Sequence, residues 1–188
     1  MAVKQATEIP TIDVNLVTVQ EEGSNKDEYI LNTASQIQVE PQIEEEDSVK
    51  LVVKGVLKAQ KLGTSVLTGN KITLTDNVFT PELVKILQGG TLTTAQDGTV
   101  TGYTPPVAGS TEKGPLFTLK AYSAQYNAAG QISRYECISY PNCQGVPIAF
   151  SSEDGTFRAP EYTVNSAPDT GEAPYTITYV DTLPTPSS

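Results

Sequence analysis

Hydrophobic and polar residues alternate most regularly over residues 35–45, which read SQIQVEPQIEE. Successive side chains of a β-strand point to opposite faces, so the residues Ile37, Val39 and Ile43 share one face and the Gln and Glu residues share the other. Pro41 has no backbone N–H to donate, which is typical of an edge strand or a bulge. The pattern therefore predicts a strand with one buried face and one solvated face.

Residues 50–61, KLVVKGVLKAQK, are interpreted as the return strand of a long hairpin, reached through the acidic corner at 44–48. The valines and Gly55 favour a strand over a helix. The apolar side chains predicted to point inward are Leu51, Val53, Leu57 and Ala59. The lysines predicted to point outward either share the polar face of 35–45 or pair with its acids across the hairpin; they are Lys50, Lys54 and Lys58.

Residues 79–90, FTPELVKILQGG, carry a clear helix signal. Thr80 suits the N-cap, Pro81 suits the first helical position, and Gly89 and Gly90 provide a C-terminal stop. The predicted helix of about two turns presents one apolar stripe, formed by Leu83, Val84 and Leu87.

Further short strands are predicted on both sides of this helix. A turn at NAAG, residues 127–130, joins two of them into a hairpin. Residues 97–114 are rich in turn residues and predict a long exposed loop. The other strands are predicted at 12–20, 70–77, within 145–166 and at 173–184. Residues 1–188 are thus expected to form a single, mainly β domain, a β-sandwich or open barrel with one short flanking α-helix.

The charge balance argues against a nucleic-acid-binding protein. Lys and Arg number 12 and Asp and Glu 22, which gives a formal charge of −10 at pH 7. Affinity for a phosphate backbone depends largely on cations that displace counterions, and these are scarce here. Neither a signal-peptide core nor an apolar stretch of membrane-spanning length is found, so we expect a protein made in a cytoplasm without a membrane partner.

The sequence also lacks the residues of common active sites. Histidine is absent, which removes the usual general base and the Ser-His-Asp arrangement. Cys137 and Cys143 are expected to be reduced thiols, and two sulfurs without histidine cannot form a closed zinc site from this chain alone. The acidic run at 44–47 lacks the spacing of a calcium loop and is interpreted as a solvated turn. We therefore predict a protein that is not an enzyme and has no cofactor or metal.

Several stretches of the chain resemble tail tube (major tail) proteins of long-tailed bacteriophages and related phage-like particles of Gram-positive bacteria. They are NTASQIQVEPQIEEEDSVKLVVKGVLKAQK at 32–61, GNKITLTDNVFTPELVKILQGG at 69–90, YPNCQGVPIAFSSEDGTFRAPEYTVNSAP at 140–168 and YTITYVDTLP at 175–184. The resemblance covers roughly 30–184 and includes no catalytic signature.

The resemblance implies a β-sandwich whose inner sheets join edge to edge into a closed β-barrel in a hexameric ring. Such rings stack into a hollow tail tube, the conduit for DNA ejection into the host. The implied partners are further copies of the chain, a tape-measure protein, tail-tip or baseplate and terminator proteins, and a sheath if the tail is contractile. Double-stranded DNA would pass through without specific binding. The implied location is the virion tail, assembled in the bacterial host cytoplasm.

The resemblance also implies roles for particular residues. The residues expected to face the lumen are Gln38, Glu40, Gln42 and Glu44, where negative charge would keep DNA from adhering. The residues expected to pack the helix or contact a neighbouring subunit are Phe79, Leu83, Val84 and Leu87. The residues expected in an inter-ring loop are Glu45, Glu46 and Asp47. The resemblance weakens in 1–29 and 97–114; we expect 1–29 to become ordered on assembly, 97–114 to form a long loop and 183–188 to form a frayed tail. The alternative is a β-sandwich binding or adhesion module or a capsid decoration module.

Overall fold

The computed structural model describes residues 4–23 and 26–186. This part of the chain is mainly β, with 52% of residues in strands and one short helix, as the sequence predicts. The elements are β1 Thr11–Glu21, β2 Glu28–Leu31, β3 Ala34–Glu45, β4 Val49–Val53, β5 Val56–Lys61, β6 Ser65–Asp76, α1 Pro81–Gln88, β7 Thr91–Thr94, β8 Val100–Thr104, β9 Phe117–Tyr126, β10 Ile132–Gly145, β11 Glu161–Ser166 and β12 Thr176–Val180.

Eight strands form one bent antiparallel sheet in the order β2-β1-β9-β10-β11-β6-β3, with β12 also paired to β10. Strand β10 connects the two halves, because residues 135–139 pair with β9 and β12 whereas residues 143–145 pair with β11. Both halves contribute side chains to the same core. The sheet thus forms a β-sandwich that does not close into a barrel within one chain.

Strands of both halves contribute side chains to the core, and buried and exposed positions alternate on β6 and β11. Val17 and Val19 of β1 and Ile72 of β6 are fully buried, while the residues between core positions on β6 and β11 are more exposed. Branched and aromatic side chains suit such a half-buried pleated surface. A second, smaller cluster lies on the opposite face of β1, β9 and β10 and is covered by Leu183; its buried members are Leu16, Tyr122 and Cys137.

Helix α1 begins and ends where the sequence predicts. Thr80 is the N-cap with an extended backbone, although its side chain makes no capping hydrogen bond, and Pro81 is the first helical residue. Gly89 has φ of 79° and donates its N–H to the Lys85 carbonyl at 2.9 Å. The apolar stripe packs so closely on β10 that a Cβ at Gly145 would lie 2.4 Å from the Leu87 carbonyl oxygen.

The predicted hairpin between 35–45 and 50–61 is wrong. Strand β3 pairs with β6, and residues 50–61 instead fold back on themselves as the hairpin of β4 and β5. The chain reverses at Lys54 and Gly55, whose φ angles are 50° and 77°. Two consecutive residues with positive φ form the tight turn that fits the twist of a two-residue hairpin. Gly55 therefore marks a turn rather than the interior of a strand.

Two other predictions concern the loop at residues 97–114 and the hairpin whose turn is NAAG at 127–130. Residues 97–114 contain strand β8, which pairs with β7, so the prediction of one long loop is wrong for 100–104. Tyr103 fixes this strand by donating its hydroxyl to the Gly89 carbonyl at 2.8 Å. The NAAG hairpin is confirmed, with the Asn127 side-chain oxygen accepting from the N–H groups of Ala129 and Gln131 at 3.0 Å each.

Both terminal segments contribute to the folded domain, and β1 matches the strand predicted at 12–20. Within 1–29, β1 lies inside the large sheet and β2 pairs with it, and β2 has no counterpart among the predicted strands. Residues 1–3, 24–25 and 187–188 of the two terminal predictions lie outside the described residues. In the predicted frayed tail, Leu183 packs against the smaller cluster.

Candidate assembly surfaces

The outward side of β3, β6 and β11 forms a polar face three strands wide. On β3, Gln38 and Glu40 are exposed while Ile37 and Val39 pack against the core. Gln38 lies opposite Thr73, which lies opposite Thr163 on β11. The structure therefore places the predicted polar residues together on one sheet face, with neighbours that the sequence reasoning did not identify.

Lys71 is the principal neighbour that sequence reasoning missed. It lies opposite Glu40 on β3 and opposite Asn165 on β11. Its Nζ is 3.9 Å from Glu40 Oε2, with 49% and 60% of the two side chains exposed. Such an exposed ion pair contributes little to stability, but it offsets one acid on the face. The alternation of Lys71 with Thr73 and Thr75 in the sequence is the signal that could have revealed it.

Strand β3 extends beyond the sandwich core, so the apolar residues near its end have no layer to cover them. A register shift follows Gln42, after which Ile43 lies opposite Leu67 and Glu44 opposite Val66. The predicted buried position of Ile43 is wrong, since 54% of this residue is exposed. Every residue from 40 to 68 is exposed. Gln42 and Glu44 thus lie, with Gln38 and Glu40, on the exposed side of β3, but near its end the apolar face is exposed as well.

We call residues 49–61, the hairpin of β4 and β5, the arm. The predicted inward positions of Leu51, Val53, Leu57 and Ala59 are wrong, because all four are exposed. Its six large apolar residues are 44–65% exposed; they are Val49, Leu51, Val52, Val53, Val56 and Leu57. A two-stranded hairpin without a packing partner is at best marginally stable in water, and apolar patches of this kind mark interaction sites.

A short neck joins the arm to the sandwich. Glu46 donates its N–H to the Thr64 carbonyl at 2.9 Å, and its carboxylate binds Lys61 and the Thr64 hydroxyl. Gly63 allows this approach, since a Cβ there would lie 1.8 Å from the Glu46 carbonyl oxygen. Of the predicted inter-ring residues, Glu45 ends β3, Glu46 closes the neck and Asp47 is exposed beside it.

The predicted helix residues lie on the inner side of α1. Leu83, Val84 and Leu87 are at most 1% exposed and belong to the core of their own chain. Phe79 is half-buried and contacts Phe150, with ring centroids 5.8 Å apart. These three core residues have almost no surface for a neighbouring subunit, so a contact in this region would fall to Phe79, which precedes the helix, and to the exposed Lys85.

Strand β3 also has an open edge. In the described part of the chain it pairs with β6 alone over its twelve residues. Pro41 lies in β3 without interrupting the pairing to β6, which places its nitrogen on the open side. Since N–H groups two residues apart in a strand point the same way, Ile37 and Val39 direct their N–H groups to this edge. Unpaired edges of this length are sites for pairing with another chain.

Unlike the residues of these exposed surfaces, the two cysteines lie in the interior. Cys137 and Cys143 are free and buried. Burial raises the pKa of the Cys143 thiol to about 12, which makes it a poor nucleophile because the thiolate is the reactive form. No helix among residues 4–23 and 26–186 is long and apolar enough to cross a membrane.

No protein-family model matches this chain, and no curated protein matches it significantly. Among solved structures, it is similar to a chain in the cryo-EM structure of the anti-feeding prophage (AFP) baseplate, 6-fold symmetrised. The identity is 9% and the TM-score 0.35, over 96% of this chain and 95% of that chain.

Proposed function

We propose that this chain is a structural protein of a phage or phage-like tail, which forms hexameric rings that stack into the hollow tail tube. The observation that carries the proposal is that the polar face of β3, β6 and β11 and the open edge of β3 lead into a run of exposed residues from 40 to 68, which contains the apolar arm. The resemblance of 32–61 and 69–90 to tail tube proteins supports the same conclusion. The chain works by assembly rather than by catalysis.

Ring formation follows from the open edge of β3. Pairing this edge with a sheet edge of the next copy satisfies the N–H groups of Ile37 and Val39 and removes a site of uncontrolled association. Repeated around a closed circle, the same contact joins the inner sheets into one barrel. In this arrangement β3, β6 and β11 form the wall.

The polar face then lines the channel. Gln38, Glu40, Gln42 and Glu44 face the lumen, together with Lys71 and the threonines of β6 and β11. Hydroxyl and amide groups with few cations give DNA no strong attachment, because backbone affinity depends on Lys and Arg. The acidic balance of the chain serves passage of DNA without binding it.

The proposed partners follow from this role. They are further copies of the chain, a tape-measure protein in the channel during assembly, tail-tip or baseplate proteins and a terminator at the two ends, and a sheath in a contractile tail. Assembly takes place in the cytoplasm of a bacterial host.

Electron microscopy of the purified full chain tests the proposal, with sedimentation over a range of concentrations. We expect sixfold rings and hollow cylinders. Val39→Pro removes an N–H from the open edge and should prevent ring closure, whereas Val39→Ala loses the same packing but keeps the N–H and should still form rings. A monodisperse monomer at high concentration would contradict the proposal and favour a binding, adhesion or capsid decoration module.

A further inference from the structure

The arm differs from the rest of the chain in charge as well as in exposure. It contains four lysines and no acid, whereas the remaining sequence has 8 basic and 22 acidic residues. The lysines flank its exposed apolar residues on both strands; they are Lys50, Lys54, Lys58 and Lys61. A complementary partner must therefore offer an apolar surface bordered by acids. A second copy of this strongly acidic chain fits that description.

A surface of this kind lies at the other end of the sandwich. Pro10, Ile12, Asp13 and Tyr126 line an open hollow of about 640 Å³. Ile132 lies opposite Tyr126 in the hairpin of β9 and β10. Ile12, Tyr126 and Ile132 are 56%, 37% and 43% exposed, so two large apolar side chains of the hollow meet water, and Ile132 adds a third beside Tyr126.

The hollow owes its shape to an irregularity in β1. The pairing of β1 with β9 shifts register between Ile12 and Leu16. Asp13 has φ of 65°, a conformation that costs free energy for a residue other than glycine. Asn15 compensates by accepting the Ala124 N–H at 2.7 Å. Bulges re-aim side chains, and here Ile12 points outward while Val14 packs against the core.

Acidic groups border the hollow. Asp13 lines it directly, and Glu8 lines an adjoining hollow that shares Pro10 and Tyr126 with it. Arg134 also lines the adjoining hollow, but its Nε donates to Gln125 Oε1 at 2.7 Å and its guanidinium lies over the Tyr179 ring at 4.1 Å. Asp13 and Glu8 thus outnumber the positively charged Arg134, and the net charge beside the apolar residues is negative.

The arm and the hollow lie at opposite ends of β3. The beginning of β3 borders the hollow region, because Ser35, Gln36 and Ile37 share a surface depression with residues 11–14. The strand then runs for twelve residues to the neck, a distance of about 40 Å at the rise of an extended chain. One chain cannot place its arm in its own hollow across that length.

We infer that the arm of one copy docks into the hollow at Ile12 and Tyr126, beside Ile132, of a copy in the adjacent ring, with its lysines beside Asp13 and Glu8. This inference rests on the proposed function and names the contact that joins one ring to the next. Contacts between two different surfaces repeat without closing and so build a filament. The arm face that enters carries Leu51 and Val53, which share one side of β4.

Two complementary variants test the inference. Leu51→Asp/Val53→Asp damages the arm and leaves the hollow intact, and Ile12→Asp/Ile132→Asp does the reverse. All four residues are exposed, so both variants should fold and form single rings that do not stack. A 1:1 mixture should give pairs of rings and no longer assemblies, because only one docking contact can form. Val107→Asp, at a residue 81% exposed outside the hollow, is the control and should form tubes.

Electron microscopy distinguishes the outcomes. Tubes of normal length from Ile12→Asp/Ile132→Asp, or single rings alone in the mixture, would overturn the inference while the proposed function stands. Failure of the unaltered chain to form rings or tubes would overturn both. As a second readout, Val53→Cys and Ile12→Cys copies should form a disulfide-linked dimer on oxidation in the mixed assembly, because Val53 lies on the face that enters the hollow. Absence of that dimer in assembled tubes would also contradict the contact, and the native cysteines, both buried, do not compete.

Discussion

The sandwich and the arm use the same kind of strand with opposite results. On β6 and β11, residues Ile72, Leu74 and Val164 are at most 1% exposed, because the opposite layer of the same chain covers them. On the arm, residues of the same types are 44–65% exposed. The difference lies in what faces each strand, not in the strands themselves. The chain completes one core and leaves a second apolar surface open, and we propose that another copy of the chain covers it.

The largest difference in stability is expected when the same charged group is introduced into the sandwich core and, separately, into the arm. Leu87→Asp buries a carboxylate in the core and should lower the free energy of unfolding by at least about 3 kcal/mol. Leu51→Asp places the same group on the exposed arm and should change it by less than about 0.5 kcal/mol, yet abolish tubes. Urea denaturation followed by circular dichroism measures both. If the two substitutions lowered the free energy of unfolding by similar amounts, the arm would be as buried as the sandwich core, which would contradict the comparison.

The dependence of stability on alkaline pH tests whether the titratable side chains of the sandwich are buried. Burial raises the pKa of Cys143 to about 12, from an ordinary value near 9, and the pKa of Tyr140 and Tyr162 to about 12, from 10. Above pH 9 the unfolded chain releases these protons first, so the free energy of unfolding should fall as pH rises from 9 to 12 and stay unaffected by these groups below 9. Each group contributes up to about 1.4 kcal/mol per pH unit.

Denaturant unfolding at pH 8, 9, 10 and 11 checks the slope. Cys143→Ala removes one of the three groups and should flatten the decline above pH 9. An unfolding free energy that is constant over this range would show that these side chains are not buried in solution.

A smaller effect is expected at the neck, where sandwich and arm meet. Gly63→Ala brings a Cβ against the Glu46 carbonyl, 1.8 Å away in the present geometry, and should break the bond from Glu46 N–H to Thr64. Hydrogen exchange should then quicken for the amides of 49–61 and remain unchanged for β6 and β11. Leu62→Ala, at an adjacent residue 68% exposed, is the control. Quickened exchange throughout the sandwich would show that the arm is not a separate unit.

The smallest effect on stability is expected on the polar face. Glu40→Lys/Glu44→Lys breaks only the exposed pair with Lys71, so the unfolding free energy should change by no more than about 0.5 kcal/mol. Rings should form, but DNA ejection from particles carrying the variant should be slower, because the new cations bind phosphates. Glu153→Lys/Asp154→Lys, in the exposed turn at 153–154, provides a matched charge change. Unchanged ejection would remove Glu40 and Glu44 from the lumen.

Short stretches of the sequence were sufficient to predict the elements whose ends are set by neighbouring residues. Pro81 and Gly89 fix the ends of the helix, and Asn127 fixes the NAAG turn through its own side chain. The mainly β architecture likewise follows from alternation and turn residues. In these cases the residues that decide the structure lie within a few positions of each other.

Pairing between distant strands could not be predicted in the same way. Strand β3 pairs with β6, although the arm lies between these two strands in the sequence. The hydrophobic pattern of the arm strands is the same as that of core strands, so the pattern does not show that the arm lies outside the sandwich. Alternation shows that Leu51 and Val53 share a face, but not whether anything covers that face. The same limit applies to Lys71, whose place on the polar face depends on its register with Glu40.

Hydrogen exchange of the assembled chain against the free chain tests the central claim most directly. The account predicts that amides of 49–61 and of the open edge of β3 exchange rapidly in the free chain and become strongly protected in assemblies, while β6 and β11 are protected in both. Equally rapid exchange of the arm and the β3 edge in both states would contradict it.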